Sequence, residues 1–192
     1  MNKHTQRKSF TRQHLIDAFW KLYCLKPISS ITVKEIVTKA GYNRSTFYEY
    51  FLDVYDVLDS IEASLLPTVD KLPPMTLSQS DQPIPLDFFI KTYLENSQYY
   101  TVLLGDKGDP AFQSKIKESV KPFMRTMIRQ DKSIDPLKID YIMEFILSAM
   151  IGVMGYWFAQ EMTISFGGLI NLMYELFQHG LFDQIKQLQS EK

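Results

Sequence analysis

Residues 32–51, with the sequence TVKEIVTKAGYNRSTFYEYF, constrain the fold most strongly because they specify two short helices joined by a tight turn. The first helix is predicted by apolar residues spaced i, i+3, i+4 and i+7, which are Val33, Ile36, Val37 and Ala40. Thr32 and Glu35 have the spacing of a capping box, which fixes the helix start. Gly41 follows, and glycine most readily adopts the positive φ that a sharp turn needs. The segment therefore predicts a helix-turn-helix.

The second helix of this segment presents many polar groups on its outer surface. Asn43 is placed to cap its start, and Phe47 and Phe51, four residues apart, form its predicted inner face. The residues left largely on the outside are Arg44, Ser45, Thr46, Tyr48 and Tyr50. Hydrogen-bonding side chains of this kind are typical of a helix that enters the major groove of DNA.

The segment resembles the DNA-binding domain of the TetR family of bacterial transcriptional regulators. The matching residues are Thr32-Val33, Ala40-Gly41, the run from Asn43 to Tyr48, and Tyr50-Phe51. The match has no gap across the segment, is sharp over about residues 10–60, and concerns only the architecture beyond them. The resemblance implies a cytoplasmic regulator that binds double-stranded DNA as a homodimer.

Charge is distributed unevenly along the chain. Residues 1–51 contain nine basic and three acidic residues, a net charge of +6, whereas the whole chain has a net charge of −1. The remaining residues must therefore carry −7. A basic N-terminal part on an acidic body indicates a polyanionic partner for the N-terminal part, although a lopsided solvated surface is the alternative interpretation.

The composition favours a cytoplasmic protein without a membrane span. Cys24 is the only cysteine, so an intrachain disulfide is excluded and a reducing compartment is favoured. An amphipathic helix, and no apolar segment typical of a signal peptide, follows the first basic residues. The longest apolar run, 145–159, is shorter than the ~20 residues that span a bilayer. We expect it to form a buried helix.

The fold class predicted from these patterns is all-α. Beside the helix-turn-helix, we predict helices at residues 10–26, 53–66, 86–104, 109–130, 135–160 and 165–180, followed by a short helical tail. Pro122 is expected to kink or split its helix. We divide the chain into a three-helix DNA-binding domain at 1–52 and a larger helical effector-binding and dimerisation domain at 53–192. The resemblance makes 53–66 a connecting helix, and a proline-rich loop follows it at 67–86.

The predicted DNA contacts lie in and around the helix-turn-helix. Arg44 is the best candidate for a base contact, because a guanidinium can pair with two acceptors of guanine. The full predicted set is Thr32, Val33, Lys34, Asn43, Arg44, Ser45, Thr46, Tyr48 and Tyr50. Two positions depart from the family pattern. Glu49 is acidic, and Val54 stands where family members often carry a phosphate-contacting lysine, so both weaken the expected affinity.

The C-terminal part is rich in aromatic residues and methionine, which can line an adaptable apolar cavity. The resemblance implies a small-molecule effector that binds among the middle helices, and we expect an apolar or aromatic compound. The candidate pocket residues are Phe89, Tyr93, Tyr100, Phe123, Met127 and Met150. Ordinary core packing is the alternative interpretation of each of them.

Small residues three or four positions apart predict a smooth strip on the long helix at 135–160, and such strips allow close helix–helix approach. The predicted dimer interface comprises Ser148, Gly152, Gly155 and Ala159, with Leu169, Leu172, Met173 and Leu176 on the next helix. The resemblance implies a four-helix bundle between two subunits, with recognition helices ~34–36 Å apart on a palindromic operator. Packing of the strip within one chain is the alternative.

The sequence gives little support for an enzyme. It lacks a glycine-rich phosphate loop, a GxSxG elbow and an HExxH motif, and its three histidines are scattered. We expect no metal and no cofactor. The leading hypothesis is a dimeric repressor released by an effector. The alternative is a ligand-responsive co-activator or adaptor that acts through protein contact and binds DNA weakly.

Overall fold

The structure is a computed structural model that describes residues 3–67, 86–105, 108–128 and 135–190. Within these ranges the regular secondary structure is helical, without a strand, so the predicted all-α fold class is confirmed. The chain forms two compact units, Met1–Leu66 and Pro67–Lys192. The predicted connecting helix is thus part of the N-terminal unit, whereas the sequence-based division placed it with the C-terminal domain. Its apolar face explains this placement, because that face packs against the first helix.

The N-terminal unit contains four α-helices and a short 3₁₀ helix. They are α1 (Lys3–Tyr23), the 3₁₀ helix (Ile28–Ser30), α2 (Val33–Ala40), α3 (Arg44–Tyr48) and α4 (Val54–Leu65). α1 packs against both α2 and α4, and α2 packs against α3. The apolar side chains most completely removed from solvent in this unit are Leu15, Phe19, Ile36, Phe47 and Val57. These five residues come from all four helices, so one small core holds the unit together.

α1 begins earlier and ends earlier than its apolar pattern predicts. Its first turns carry two lysines, a glutamine and an arginine, which give no apolar periodicity but form helices readily, and the helix extends back to Lys3. At its other end the amide of Leu25 bonds to Leu22 O at 3.0 Å, which tightens the last turn. Pro27 then disfavours the α conformation at the residue before it.

The described residues of the C-terminal unit form five α-helices. They are α5 (Leu86–Glu95), α6 (Ser97–Leu103), α7 (Pro110–Ile128), α8 (Pro136–Ala159) and α9 (Phe166–Ser190). Asp135 caps α8 by accepting a hydrogen bond from the amide of Leu137 at 2.9 Å, as the Asp-Pro pattern predicts. α8 packs against α6 and α7 and is the central helix of this unit.

The prediction of one helix over residues 86–104 is wrong, because the chain breaks at Asn96. Asn96 has φ −118° and ψ 22°, outside the helical region. Its side-chain Nδ2 donates to Thr92 O at 3.0 Å, so the side chain competes with the backbone for a helical carbonyl. Asparagine favours such breaks, but the apolar periodicity that continues on both sides hides it in the sequence.

Proline and glycine act differently in the last helices. α7 continues through Pro122 as one helix from Pro110 to Ile128 and is not split. In α9, Gly180 has φ 77° and ψ 163°, so regular helical geometry is interrupted where the sequence predicts the helix to end. A residue with a β-carbon would be strained at this φ.

The apolar stretch of α8 is longer than the run predicted at 145–159. Among the described helices, one segment, Leu137–Ala159, is long and apolar enough to cross a membrane by length and composition, with a mean hydropathy of 1.6. The core helix of a soluble protein meets the same criterion, and about a third of this segment is buried within the chain.

Candidate DNA-binding surface

The start of α2 is fixed by the predicted capping box. The Thr32 hydroxyl accepts a hydrogen bond from the Glu35 amide at 3.3 Å, and the Thr32 amide donates to Glu35 Oε2 at 3.0 Å. At the other end, Gly41 is left-handed, with φ 76° and ψ 28°, and the amide of Tyr42 bonds to Val37 O at 2.9 Å. The sequence-based account of the turn between α2 and α3 is therefore confirmed in its local geometry.

Lys26 braces this capping box, a contact that the sequence analysis missed. Its Nζ lies 2.6 Å from Glu35 Oε1 and 2.8 Å from Ser30 O. The hydrogen bond from Lys26, and then those from Thr32, lower the pKa of Glu35 from 4.5 to about 2. The brace links the 3₁₀ helix to the first turn of α2. It therefore fixes the segment that carries the predicted DNA contacts Thr32 and Lys34.

α3 is only five residues long, and its start is fixed by one side chain. Asn43 Oδ1 accepts hydrogen bonds from the Thr46 amide at 2.9 Å, the Ser45 hydroxyl at 2.7 Å and the Thr46 hydroxyl at 3.0 Å. Asn43 thus caps the helix as predicted, and it also occupies the hydroxyl protons of two predicted DNA contacts. Ser45 and Thr46 retain acceptor lone pairs for other partners.

The two faces of α3 and the residues after it separate as the sequence predicts. Phe47 and Phe51 are buried, with ring centroids 5.6 Å apart. Tyr48 is 59 % exposed and packs edge-on against Phe47, with centroids 5.5 Å apart. Of the other predicted contacts, Thr32, Lys34, Asn43, Arg44 and Ser45 are exposed, and Val33, Thr46 and Tyr50 are partly exposed. The N-terminal unit therefore presents the predicted set at its surface.

The junction between α3 and α4 is acidic. Asp53 Oδ1 accepts hydrogen bonds from the amides of Tyr55 at 2.8 Å and Asp56 at 3.0 Å, and Asp56 Oδ2 accepts from the Leu52 amide at 2.8 Å. The amides at the positive end of α4, which would otherwise favour a phosphate, thus bind the chain's own carboxylates. Val54 is 9 % exposed and packs inward. The position where family members often carry a lysine therefore offers no cation at the surface. The negative charge of this junction would repel the phosphate backbone of a bound DNA.

The predicted effector-pocket residues fall into separate groups. The rings of Tyr93 and Tyr100 stack with centroids 4.1 Å apart, and Tyr100 also neighbours Phe112 at 6.0 Å. Burial raises the pKa of both tyrosine hydroxyls above the usual range. Met150 instead packs in a cluster around Ile170 of α9. The side chains of the other three predicted pocket residues lie outside the described part of the structure, namely Phe89, Phe123 and Met127.

Described residues line a polar cavity and an apolar one, and neither of these two includes a predicted pocket residue. A polar groove of about 330 Å³ in the N-terminal unit is lined by His14, Asp17, Ala18, Lys21, Lys39 and Ala40. An apolar groove of about 310 Å³ lies between α8 and α9. We call the second one the α8–α9 groove. It is lined by Phe145, Ala149, Val153, Met173, Leu176, Phe177 and Gly180.

The predicted dimer strip divides between the surface and the interior of the subunit. A β-carbon at Gly155 would lie 3.3 Å from Leu104 O, so Gly155 packs against the end of α6 in the same chain. Leu169 and Met173 are also buried in the subunit. The remaining predicted residues are at least partly exposed: Ser148, Gly152 and Ala159 on α8, and Leu172 and Leu176 on α9.

Three large aromatic residues on the same face of α8 were missed. Tyr141, Phe145 and Tyr156 are 73 %, 70 % and 69 % exposed. Their spacing places them on one helix face with Ser148 and Gly152. A β-carbon at Gly152 would meet no atom of the chain within 4 Å. The subunit's own packing therefore does not require a glycine at position 152. The exposed aromatic face could have been predicted from the spacing of its residues in the sequence.

The described residues contain no group of three or more histidine, cysteine, aspartate or glutamate side chains placed to hold a metal ion. The described fold is all-helical, and its N-terminal unit contains a helix-turn-helix, an architecture typical of transcriptional regulators.

A TetR-type family model, described as "Transcriptional regulator C-terminal region", matches residues 85–179. Together with the N-terminal helix-turn-helix, this match places the chain in the TetR family of transcriptional regulators, to which it belongs. Among curated proteins, none matches the chain.

Solved structures of transcriptional regulators share the fold. A TetR transcriptional regulator from Streptococcus agalactiae is 19 % identical, with a TM-score of 0.59 over 88 % of this chain and 94 % of that one. The fatty acid degradation regulator FadR from Bacillus halodurans is 18 % identical, with a TM-score of 0.63 over 89 % and 96 %. The dihydroxyacetone kinase operon activator DhaS is 20 % identical, with a TM-score of 0.50 over 92 % and 96 %.

Proposed function

We propose that this chain is a cytoplasmic, dimeric transcriptional repressor that binds a palindromic DNA operator through α3 and is released by a small apolar or aromatic effector. The observation that carries the proposal is the arrangement of α3. Phe47 anchors it in the core, Asn43 fixes its start, and Arg44 and Tyr48 stand at the surface. The chain would act by binding and not by catalysis.

DNA recognition is supported by both charge and geometry. From residue 1 to Arg44, the sequence has nine basic residues against Asp17 and Glu35. Such a charge attracts a polyanion without regard to sequence, whereas the Arg44 guanidinium can discriminate between bases. The remaining members of the predicted set, such as Thr32 and Lys34 at the start of α2, would contact the phosphate backbone.

A fluorescence-anisotropy titration tests this function. The probes are labelled DNA from immediately upstream of the protein's own gene and random DNA of equal length, each at two salt concentrations. We expect a preference for the upstream DNA that Arg44→Ala removes. Lys21→Ala is the matched control, because it deletes an exposed cation from α1 of the same unit. Equal binding to both DNAs, unchanged by Arg44→Ala, would refute repression of the protein's own gene.

Dimerisation is supported by the exposed face of α8. Aromatic residues on either side of Gly152 would pack against a second subunit. The glycine would let α8 and its copy in that subunit approach closely. Gly152→Leu should therefore give a folded monomer in sedimentation analysis. Gly167→Leu is the matched control, because a β-carbon at Gly167 also meets nothing within 4 Å. A dimeric Gly152→Leu variant would contradict the proposed interface.

An effector site in the C-terminal unit remains part of the proposal. The stacked Tyr93 and Tyr100 and the neighbouring Phe112 supply an aromatic environment suited to an apolar or aromatic compound. One structurally similar protein is named as a regulator of fatty acid degradation, which makes acyl compounds a reasonable first set of ligands to screen. Release of bound DNA in the anisotropy assay is the readout.

A co-activator or adaptor is the second candidate function. The acidic junction formed by Asp53 and Asp56 favours it, because that junction opposes phosphate beside α3. One structurally similar protein is named as an operon activator. This function predicts weak, salt-sensitive DNA binding together with a stable complex with another protein, whereas a repressor binds its operator tightly without a partner.

A further inference from the structure

Arg12 makes two side-chain contacts, which join α1 to α4 and to the segment just after α3. It lies on α1, and its guanidinium carbon is 5.2 Å from the centre of the Phe51 ring, just after α3. Its Nη2 donates a hydrogen bond to Ser60 Oγ on α4. The residues at the two ends of this second contact are 48 positions apart in the sequence. One α1 side chain therefore contacts both the end of the α3 segment and the middle of α4.

The contact with Phe51 continues to the recognition surface. Phe51 is buried, and its ring neighbours that of Phe47. The ring of Phe47 in turn contacts the exposed Tyr48 in a T-shaped arrangement. A cation over an aromatic face is attracted by the ring quadrupole, and it also holds the ring in one orientation. A displacement of Arg12 would thus shift the rings of Phe51 and Phe47, which support α3.

The chain segment that joins α3 to α4 contains no basic residue. Between Arg44 and Lys71 the sequence contains neither lysine nor arginine, whereas Glu49, Asp53, Asp56 and Asp59 lie in this interval. The cation at the junction of α3 and α4 is therefore supplied by α1. Arginine suits this position better than lysine, because its planar guanidinium can stack on a ring while one of its N–H groups donates sideways.

We propose that Arg12 is a positioning residue that fixes α3 relative to α4 through Phe51 and Ser60, and so sets how well the protein discriminates between DNA sequences. This inference rests on the proposed DNA-binding function. All three of Arg7, Lys8 and Arg12 are exposed, but the contacts with Phe51 and Ser60 distinguish Arg12. Arg7 and Lys8 would act through phosphate attraction. Loss of the Arg12 contacts lowers discrimination, while loss of a phosphate contact lowers affinity for every DNA.

The test compares four variants with the wild-type protein: Arg12→Lys, Arg12→Ala, Ser60→Ala and the double variant Arg12→Lys/Ser60→Ala. The probes are DNA selected by the wild-type protein from a random pool and unselected DNA, at two salt concentrations. Arg12→Lys keeps the charge but loses the stacking and the directed hydrogen bond. We expect about a 5-fold weaker binding to selected DNA, with unselected binding and the salt slope unchanged. Ser60→Ala should act in the same direction without any change of charge.

The double variant should bind selected DNA no more weakly than Arg12→Lys alone, because both changes break one shared contact. Arg7→Lys is the matched control and should leave discrimination unchanged. Equal weakening on both DNAs in Arg12→Ala, with a salt slope reduced by about 1, would identify Arg12 as a phosphate contact and overturn the inference. Wild-type discrimination in both Arg12→Lys and Ser60→Ala would also overturn it.

Arg44→Ala in the same assay separates this inference from the function on which it rests. If the wild-type protein selects DNA and Arg44→Ala loses the preference, the function stands, and the result for Arg12→Lys decides the inference alone. If the wild-type protein selects no DNA from the pool, the proposed function and the inference both fail.

Discussion

Replacing Asn43 by alanine should weaken sequence-specific DNA binding while leaving the unit folded. Asn43 Oδ1 accepts three hydrogen bonds, including the one from the Thr46 amide at 2.9 Å. Loss of such a cap costs about 1 kcal/mol, within a range of roughly 0.5–2. A helix of five residues has little stability of its own, so this cost falls on the first turn of α3, where Arg44 lies.

The expected change in binding follows from that cost. If the first turn must be ordered in the complex, about 1 kcal/mol corresponds to about a 5-fold rise in Kd for the preferred DNA. Anisotropy titration measures the Kd, and thermal unfolding checks that the variant remains folded. Phe47 and Phe51 stay buried in the variant, so we expect only a small fall in melting temperature.

Asn43→Ser distinguishes the cap from a direct contact of the amide with DNA. Serine is nearly as good a cap as asparagine but lacks the amide group. The cap argument predicts that Asn43→Ser binds almost like the wild-type protein. It is refuted if Asn43→Ala keeps wild-type affinity, and equally if Asn43→Ser is as defective as Asn43→Ala, since the amide itself would then be the essential group.

Two further predictions concern charges around the helix-turn-helix. Because the pKa of Glu35 is lowered from 4.5 to about 2, its stabilising contact with Lys26 should be present above pH 4.5 and lost as the pH falls through about 2. Chemical unfolding should therefore show a wild-type advantage over Glu35→Gln that shrinks between pH 5 and pH 2, and a constant difference would contradict this. Asp53→Asn combined with Asp56→Asn keeps the acceptors at the start of α4 but removes two negative charges, so DNA affinity should rise about 2–3-fold at low salt and less at high salt. Asp17→Asn on α1 removes one charge and is the matched control for each of the single variants Asp53→Asn and Asp56→Asn. An equal gain from it would show that only total charge matters.

The sequence by itself determined the helix-turn-helix and the surface of α3. Each signal there concerns groups that are close along the chain: Thr32 and Glu35 form a box over three residues, and Asn43 caps a helix that begins at the next residue. Gly41 adopts the left-handed conformation where the turn requires it. Local hydrogen bonding and periodicity fix such features before any tertiary contact is made, so they can be read without the fold.

The C-terminal unit was predicted less completely from the same kinds of signal. The helix boundaries set by Asp-Pro at 135–136 and by Gly180 agree with the structure, because caps and glycine act locally. The break at Asn96 did not follow from the pattern, since apolar spacing continues through it. Composition also grouped Met150 with the tyrosines of α5 and α6, whereas Met150 packs near Ile170. Residue type alone does not reveal which aromatic residues meet.

Only the tertiary structure decided which side chains connect the elements. In the sequence, nothing distinguishes Arg12 from the other cations of the basic N-terminal part. Its contacts with Phe51 and Ser60 arise because α1 packs against α4. The strip on α8 was visible as spacing, but packing decided that Gly155 faces α6 while Gly152 faces outward. Contacts between residues distant in sequence depend on how whole helices dock, and a helix pattern states which residues share a face without stating which neighbour that face will meet.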